Sequence, residues 1–93
     1  MRGRRDTLGK RLLRLRTKAG LSVSELARTA GLKSPSHIGL IERGERVEIA
    51  AQTALALSKT LGVSVEWLVN GEGDEPTEDA VKTAVERAAK VAA

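Results

Sequence analysis

The chain has 93 residues, 41% of them hydrophobic and 30% charged, so its length and composition fit one soluble globular domain. It has no cysteine, which excludes disulfides, thiolate metal ligands and thiol catalysis, and its single aromatic residue argues against a stacking surface for single-stranded nucleic acid. Residues 1–46 carry 12 Lys/Arg against 4 Asp/Glu (net +8) and residues 47–93 carry 4 against 8 (net −4), an asymmetry that indicates either a polyanion partner or solubility alone.

A basic arm at residues 1–6 (MRGRRD) precedes the first helical pattern, which we expect to run from about residue 8 to 19. Apolar residues recur there at i, i+4, i+7 and i+11, the spacing of one helical face. They are Leu8, Leu12, Leu15 and Ala19. Another side of this helix is basic, and it either faces solvent or contacts phosphate. Its members are Arg11, Arg14 and Lys18.

Two short helices follow, separated by a tight turn that contains Gly31. Ser22 opens the first of them, and Glu25 three residues later completes a capping box. The next helix begins at Ser34 as the N-cap and Pro35 at the first helical position, where a missing N–H costs nothing. The expected inner faces are Val23, Leu26, Ala27 and Ala30 in the first helix and Ile38 and Ile41 in the second.

Two further helices are predicted between residues 50 and 69. The first runs from about residue 50 to 61 and ends at Gly62. Its expected inner face is Ala51, Ala54, Leu55, Ser58 and Leu61. Ser64 caps the second, in which Trp67 is expected to fill the core.

The last fifth of the chain combines an acidic linker with an Ala-rich helix. Residues 72–77 contain Gly and Pro, which favour a linker, and a helix is expected over about 78–92. Four small apolar residues in this helix follow the 4-3-4 spacing of a coiled-coil seam: Val81, Val85, Ala88 and Ala92. The segment is either a loose tail or a surface that packs against a second protomer or another protein.

Short helices joined by a tight Gly-containing turn are the helix-turn-helix signature, although helical hairpins unrelated to DNA share this outline. The stretch from Leu8 to Gly71 resembles the Cro/XRE family of phage repressors and bacterial regulators. The matching segments are LGKRLLRLRTKAGLSVSELARTAGL (8–32), HIGLIERGER (37–46) and ALALSKTLGVSVEWLVNG (54–71). The resemblance implies an all-α fold, a five-helix lambda-repressor-like helix-turn-helix domain at 7–71, with the arm 1–6, the linker 72–77 and an additional C-terminal helix at 78–93.

The resemblance also implies roles for individual residues. Arg16 matches a first-helix arginine that pairs with the glutamate at Glu42, and its place at the border of the apolar face independently calls for a carboxylate partner. Ser22 matches a phosphate-contacting position, as free N–H groups at a helix N-terminus would favour. Arg43 and the backbone of Gly44 match a second phosphate contact.

The groove-facing positions of the family correspond to residues in the third helix. They are Ser34, Pro35, Ser36, Gly39 and Leu40. Of these, Pro35, Gly39 and Leu40 have no side-chain donor for a base edge, although Leu40 is suited to a thymine methyl group. The remaining candidate readers are Ser34, Ser36, His37 and Lys33, an apparent insertion in the turn. His37 is equally well explained as an exposed residue with no role.

The leading hypothesis is therefore a sequence-specific transcriptional regulator, a repressor that binds double-stranded DNA as a homodimer with the third helix in the major groove. The alternative is a protein-interaction module or antitoxin that uses the same fold and residues 78–93 to bind a protein. We expect no enzyme activity and no cofactor, because the sequence shows no nucleophile–base pair or phosphate loop. A metal site is not expected either, because the chain has one histidine and no cysteine. We also expect no membrane association and a cytoplasmic location, because the sequence has no membrane-length apolar run and no signal core.

Overall fold

The computed structural model describes residues 6–45 and 48–92, which form six α-helices and contain no strand. The helices are α1 (Leu8–Ala19), α2 (Val23–Ala30), α3 (Pro35–Glu42), α4 (Ala51–Leu61), α5 (Val65–Asn70) and α6 (Glu78–Ala92). The expected fold class, a five-helix helix-turn-helix domain with an additional C-terminal helix, is confirmed. Residues 1–5 of the expected arm lie outside the described residues.

Local sequence signals explain the start of α2 and the turn that follows it. Ser22 accepts a hydrogen bond from the Glu25 N–H, and the Glu25 carboxylate accepts one from the Ser22 N–H, which forms the expected capping box. Gly31 ends α2 with φ +75°, a left-handed conformation that suits glycine. The chain can therefore leave α2 abruptly and begin α3 at Pro35.

The core lies between α1, α2, α3, α4 and α5, with one face of α6 closing it. Its fully buried side chains are Leu12, Leu15, Leu26, Ile38, Leu57, Leu61, Leu68 and Val81. Trp67 is also buried in this cluster, as the sequence predicted. The inner faces predicted for α1, α2 and α3 contribute to the same core.

Gly9 allows α1 to cross close to the end of α3. It is buried, and a Cβ atom at this position would clash with the carbonyl oxygen of Ile41 and would lie 3.1 Å from that of Glu42. These oxygens belong to backbone in the last turn of α3, which cannot yield as a flexible side chain would. The missing side chain of Gly9 therefore sets how closely α1 and α3 approach.

The predicted inner face of α4 is wrong by part of a turn. Leu55 is 49% exposed, whereas Leu57, which the prediction left out, is fully buried. Four of the buried residues follow i, i+3, i+4 and i+7, namely Ala54, Leu57, Ser58 and Leu61, and Thr60 is buried beside them. Both registers satisfy a helical period, so only packing against the other helices decides between them.

The apolar seam of α6 is also used differently from the expectation. Val81 is fully buried in the domain core, and Val85 packs against that core from its edge. The first half of the predicted seam is thus covered by this chain itself, because a sequence pattern cannot distinguish an internal partner from an external one. Close contact between α4 and α6 is possible at Gly62, where a Cβ would lie 2.6 Å from the Cβ of Ala84.

Candidate nucleic-acid interface

An ion pair joins α1 to the end of α3 and fixes the position of that helix. Arg16 Nε donates to Glu42 Oε2 at 2.7 Å and Arg16 Nη2 donates to Glu42 Oε1 at 2.9 Å, while Nη1 donates to the carbonyl of Leu21 at 3.0 Å. The hydrogen bonds to Glu42 raise the pKa of Arg16 above its ordinary value. The two side chains that the sequence analysis expected to pair therefore lie together, and the pair is bidentate and mostly shielded from solvent.

The N-terminus of α2 has both occupied and free N–H groups. The N–H groups of Ser22 and Glu25 are used within the capping box, and these hydrogen bonds hold the pKa of Glu25 below its usual value. Among the described residues, no acceptor pairs with the N–H groups of Val23 and Ser24 in the first turn. An anion here would be bound by those two groups and the helix dipole, rather than by the Ser22 N–H.

The start of α3 is a polar, solvent-facing edge. The hydroxyl oxygens of Ser34 and Ser36 lie 2.9 Å apart, and Ser34 makes no side-chain hydrogen bond to the helix, so it is an N-cap by position only. Lys33, Ser36 and His37 are exposed. The side chains of Lys33 and His37 make no hydrogen bond or ion pair within residues 6–45 and 48–92, so they remain accessible to a ligand.

The other positions expected to face a DNA groove are Pro35, the first residue of the same helix, and Gly39 and Leu40, about one turn further along. Pro35, Gly39 and Leu40 are half-buried. The missing side chain of Gly39 leaves space that the guanidinium of Arg43 partly covers, since a Cβ on Gly39 would lie 3.1 Å from Arg43 Nη1. Gly39 and Leu40 thus give the middle of α3 no polar side chain, and the guanidinium of Arg43 lies beside it instead.

Arg43 and Gly44 follow α3 at its C-terminal end. Arg43 is 60% exposed, and its Nε donates to Glu45 Oε2 at 2.8 Å. The Gly44 N–H already donates to the carbonyl of Ile41 at 3.1 Å. A phosphate at this end would therefore compete with Glu45 for Arg43 and with the helix for the Gly44 N–H. Sequence reasoning did not include Glu45, although an acid two residues after an expected phosphate ligand is a readable signal.

Arg11 is not part of a solvated or phosphate-binding face, which corrects that interpretation of the α1 stripe. It is 4% exposed, and it donates from Nε to the carbonyl of Leu68 at 2.9 Å and from Nη2 to that of Val69 at 2.8 Å. It also donates to the carbonyl of Asp6. The guanidinium stabilises the last carbonyls of α5, where the helix dipole favours a cation.

The other two cations of that stripe bind carboxylates of the same chain. Arg14 binds Asp6 at 2.6 Å and Glu75 at 3.0 Å, and Lys18 binds Glu75 at 2.6 Å. These partners hold the pKa of both carboxylates below the usual range, with Arg14 the largest influence on each. Most of the basic charge on this side of α1 is therefore already matched by Asp6 and by the acidic linker.

Comparison with known proteins supports the interpretation of the domain as a whole. The family model described as Helix-turn-helix matches residues 12–68, which is more than half of the chain and includes α2 and α3. Searches of curated proteins and of solved structures return no match. Within the described ranges, no helix combines the length and hydrophobicity needed to cross a lipid bilayer.

Proposed function

The chain belongs to the Cro/XRE-type helix-turn-helix family of DNA-binding transcription regulators, and on this premise we propose that it is a repressor of a specific operator. In this proposal α3 enters the major groove of double-stranded DNA and the start of α2 contacts the phosphate backbone. The protein acts in the cytoplasm, on the DNA present there. It needs no cofactor for this function.

The observation that carries the proposal is the exposed polar start of α3, presented on a helix whose other end is fixed. The bidentate pair between Arg16 and Glu42 and the close approach at Gly9 hold α3 against α1. A recognition helix must be positioned in this way, because contacts to base edges depend on a rigid presentation.

Phosphate contacts supply most of the affinity in this proposal. The contacts come from the α2 N-terminus around Ser22 and from Arg43 with the adjacent Gly44 backbone. Base contacts come from side chains at the start of α3: Lys33, Ser34, Ser36 and His37. Leu40 contacts a thymine methyl group, while Pro35 and Gly39 allow close approach to the groove. Discrimination between sequences is modest, since each good bidentate base contact contributes about 1–3 kcal/mol and few such side chains are present.

We also propose that the regulator binds a two-fold operator as a homodimer, because one short recognition helix reads only a half-site. The α6 seam cannot provide the whole dimer interface, since Val81 is fully buried and Val85 partly buried within one chain. The interface must therefore involve other exposed residues.

The direct experiment is a titration of the full chain with duplex DNA from its own upstream region and with a scrambled duplex of equal length. The proposal predicts that the protein binds the upstream duplex more tightly than the scrambled one. Ser36→Ala or Lys33→Ala should reduce this difference in affinity. Equal affinity for the two duplexes would contradict sequence-specific recognition by this chain at that site. Control circular dichroism spectra establish that each variant is folded.

A second candidate function, binding of another protein as an interaction module or antitoxin, is favoured by an apolar surface beside α6. The sequence placed this activity in residues 78–93. Leu55 on α4 and Val91 on α6 are large apolar residues that remain exposed, at 49% and 84% respectively. These residues are not used by the proposed DNA interface.

A further inference from the structure

A groove runs between the C-terminal end of α2, α4 and α6. Its volume is about 780 Å³, and its apolar lining is Ala30, Leu55, Ala56, Ala84, Ala88 and Val91. Small side chains form much of the lining, and the two large exposed residues, Leu55 and Val91, come from α4 and α6. A depression with small residues and two large apolar ones suits a complementary apolar side chain, as in recognition of a helix in a groove.

The geometry of α6 explains why this groove is left open. One stripe of the helix, which includes Val81 and Val85, packs against the core of the domain. A second stripe, with the spacing i, i+4 and i+7, lines the groove instead: Ala84, Ala88 and Val91. That spacing is the one with which a helix contacts a neighbouring helix. The stripe available to a partner is therefore offset from the seam that the sequence pattern suggested.

The charge of the groove indicates the chemistry of its occupant. Two cations, Lys59 and Arg87, belong to its lining, and no aspartate or glutamate does. Neither cation forms an ion pair with any residue in the part of the chain that the structure describes. These two unmatched positive charges lie within residues 47–93, a segment with a net charge of −4. Beside an apolar surface, they favour carboxylates on the molecule that covers it.

The same charges argue against a second copy of this chain facing its own groove across a two-fold axis. Such an arrangement would place two Lys59 and two Arg87 side chains in one interface, with no carboxylate from either lining. Like charges brought together in this way oppose association. The α6 residues beside the groove supply no carboxylate to pair with these cations. On a helical wheel, the outer flank of the second stripe is occupied by Ala80, Thr83 and Arg87.

We propose that this groove binds an amphipathic helix of another protein, with apolar residues at i, i+3 or i+4, and i+7 and with aspartate or glutamate on the flanks of that stripe. The apolar residues of the partner pack against Leu55 and Val91, and its carboxylates pair with Lys59 and Arg87. No residue of α3 lines the groove, so the partner and DNA bind at separate places. The proposal does not depend on DNA binding.

The test uses the full chain and a synthetic amphipathic peptide of about 18 residues, long enough to form a helix. The peptide carries leucines at the stated spacing and glutamates on the flanks, and its matched control carries lysines in place of the glutamates. Binding is followed by fluorescence anisotropy, and the contact site by chemical-shift changes in ¹⁵N-labelled protein. Sedimentation of the protein alone reports its oligomeric state.

We expect the glutamate peptide to bind about tenfold more tightly than the lysine peptide, the effect of about two ion pairs at the rim. The double variant Lys59→Glu/Arg87→Glu should reverse this preference, whereas Arg28→Glu/Lys90→Glu, with the same change in net charge outside the groove, should retain it. Leu55→Arg should weaken binding of the glutamate peptide. Shift changes should map to α4 and α6.

Three results would overturn the proposal. One is equal affinity of the two peptides for the protein. The same conclusion follows if neither peptide causes chemical-shift changes at the groove. Another is an unchanged preference in Lys59→Glu/Arg87→Glu, with the folded state checked by its spectrum. The third is a dimer of the wild-type chain that Leu55→Arg converts to monomer, because the groove would then be occupied by a second copy. A failure of DNA binding would leave all of these measurements unaffected.

Discussion

The Arg16 guanidinium and the Glu42 carboxylate meet in a bidentate ion pair, at 2.7 and 2.9 Å, that connects the last turn of α1 to the last residue of α3. The Glu42 side chain is 8% exposed and that of Arg16 is 19% exposed. Because both side chains are largely removed from water, replacing either residue would leave the other as an unpaired, poorly solvated charge. The pair thus links the stability of the domain to the placement of α3, the proposed recognition helix.

Replacing Arg16 by alanine should lower the free energy of unfolding by about 3 kcal/mol, since removing one partner of a buried pair costs about 3–5 kcal/mol. The measurement is chemical denaturation of Arg16→Ala, with the exposed Arg28→Ala as the control. Arg16→Met/Glu42→Leu should recover part of the loss, because no unpaired charge remains. A loss in Arg16→Ala no larger than in Arg28→Ala would contradict this account of the pair.

Gly9→Ala should destabilise the domain by about 1–3 kcal/mol, the usual cost of overpacking a close contact. The added Cβ would press against the backbone of Ile41 and Glu42, so α1 and α3 must separate. Thermal unfolding measures the effect, and the control is Gly39→Ala, at a helical glycine whose added Cβ would meet only the flexible guanidinium of Arg43. If Gly9→Ala were as stable as the wild type, the crossing would be looser than the structure indicates.

Stability should decrease as the pH falls below the ordinary range of carboxyl groups. The pKa of Asp6 and of Glu75 is lowered in the folded state, chiefly by hydrogen bonds from Arg14. Their contribution is therefore present above the unfolded pKa values, near 4, and is lost as the pH falls through the lower folded values. It should be small, below about 1 kcal/mol for each pair, because these groups are largely exposed and screened by water.

The double variant Asp6→Asn/Glu75→Gln tests this pH dependence by urea denaturation between pH 6 and pH 3. Its stability should vary less with pH than that of the wild type, and added salt should reduce the difference between the two proteins. Glu72→Gln, in the same linker but without an ion pair, should behave as the wild type. Identical pH profiles for the double variant and the wild type would show that these pairs do not stabilise the fold.

Removal of α6 should unfold or strongly destabilise the domain, rather than merely prevent dimerisation. Val81 is fully buried in the core, and residues of α1, α2, α4 and α5 share that core. Val81→Ala should cost roughly 1–3 kcal/mol through lost burial and a residual cavity. Calorimetry measures this loss, with the exposed Val91→Ala as the matched control. Equal stability of Val81→Ala and Val91→Ala would indicate that α6 is a loose tail that does not stabilise the core.

The sequence was sufficient to predict the order and type of the helices, because capping residues and helical periods are local signals. Ser22 with Glu25, and Trp67 in the fifth helix, are examples in which the local pattern agrees with the structure. The failures at Leu55, Val81 and Arg11 have a common cause. Each depends on which distant element packs against the residue, and a helical period leaves that choice open.

The ion pairs of the candidate interface also differ in how far the sequence could predict them. Arg16 could be paired with Glu42 because the family resemblance identified the partner, while the place of Arg16 at the border of an apolar face called for a carboxylate. The pairs of Arg14 and Lys18 with Glu75 could not be foreseen, because they connect exposed residues 57 or more positions apart through the path of the linker. The basic first half of the chain is therefore less available to an external anion than its net charge suggests.

The measurement that tests the central claim most directly is the salt dependence of DNA binding by the full chain and by Arg43→Ala. Each phosphate that a lysine or arginine neutralises changes the slope of log K against log salt by about −0.9, so the two Arg43 side chains of a dimer should contribute about −2. Arg43→Ala should weaken binding to the upstream and scrambled duplexes alike and make the slope less steep by about 2 in a dimer. A folded protein that binds neither duplex at roughly 50 mM salt, where phosphate contacts are strong, would contradict the account of this chain as a DNA-binding repressor.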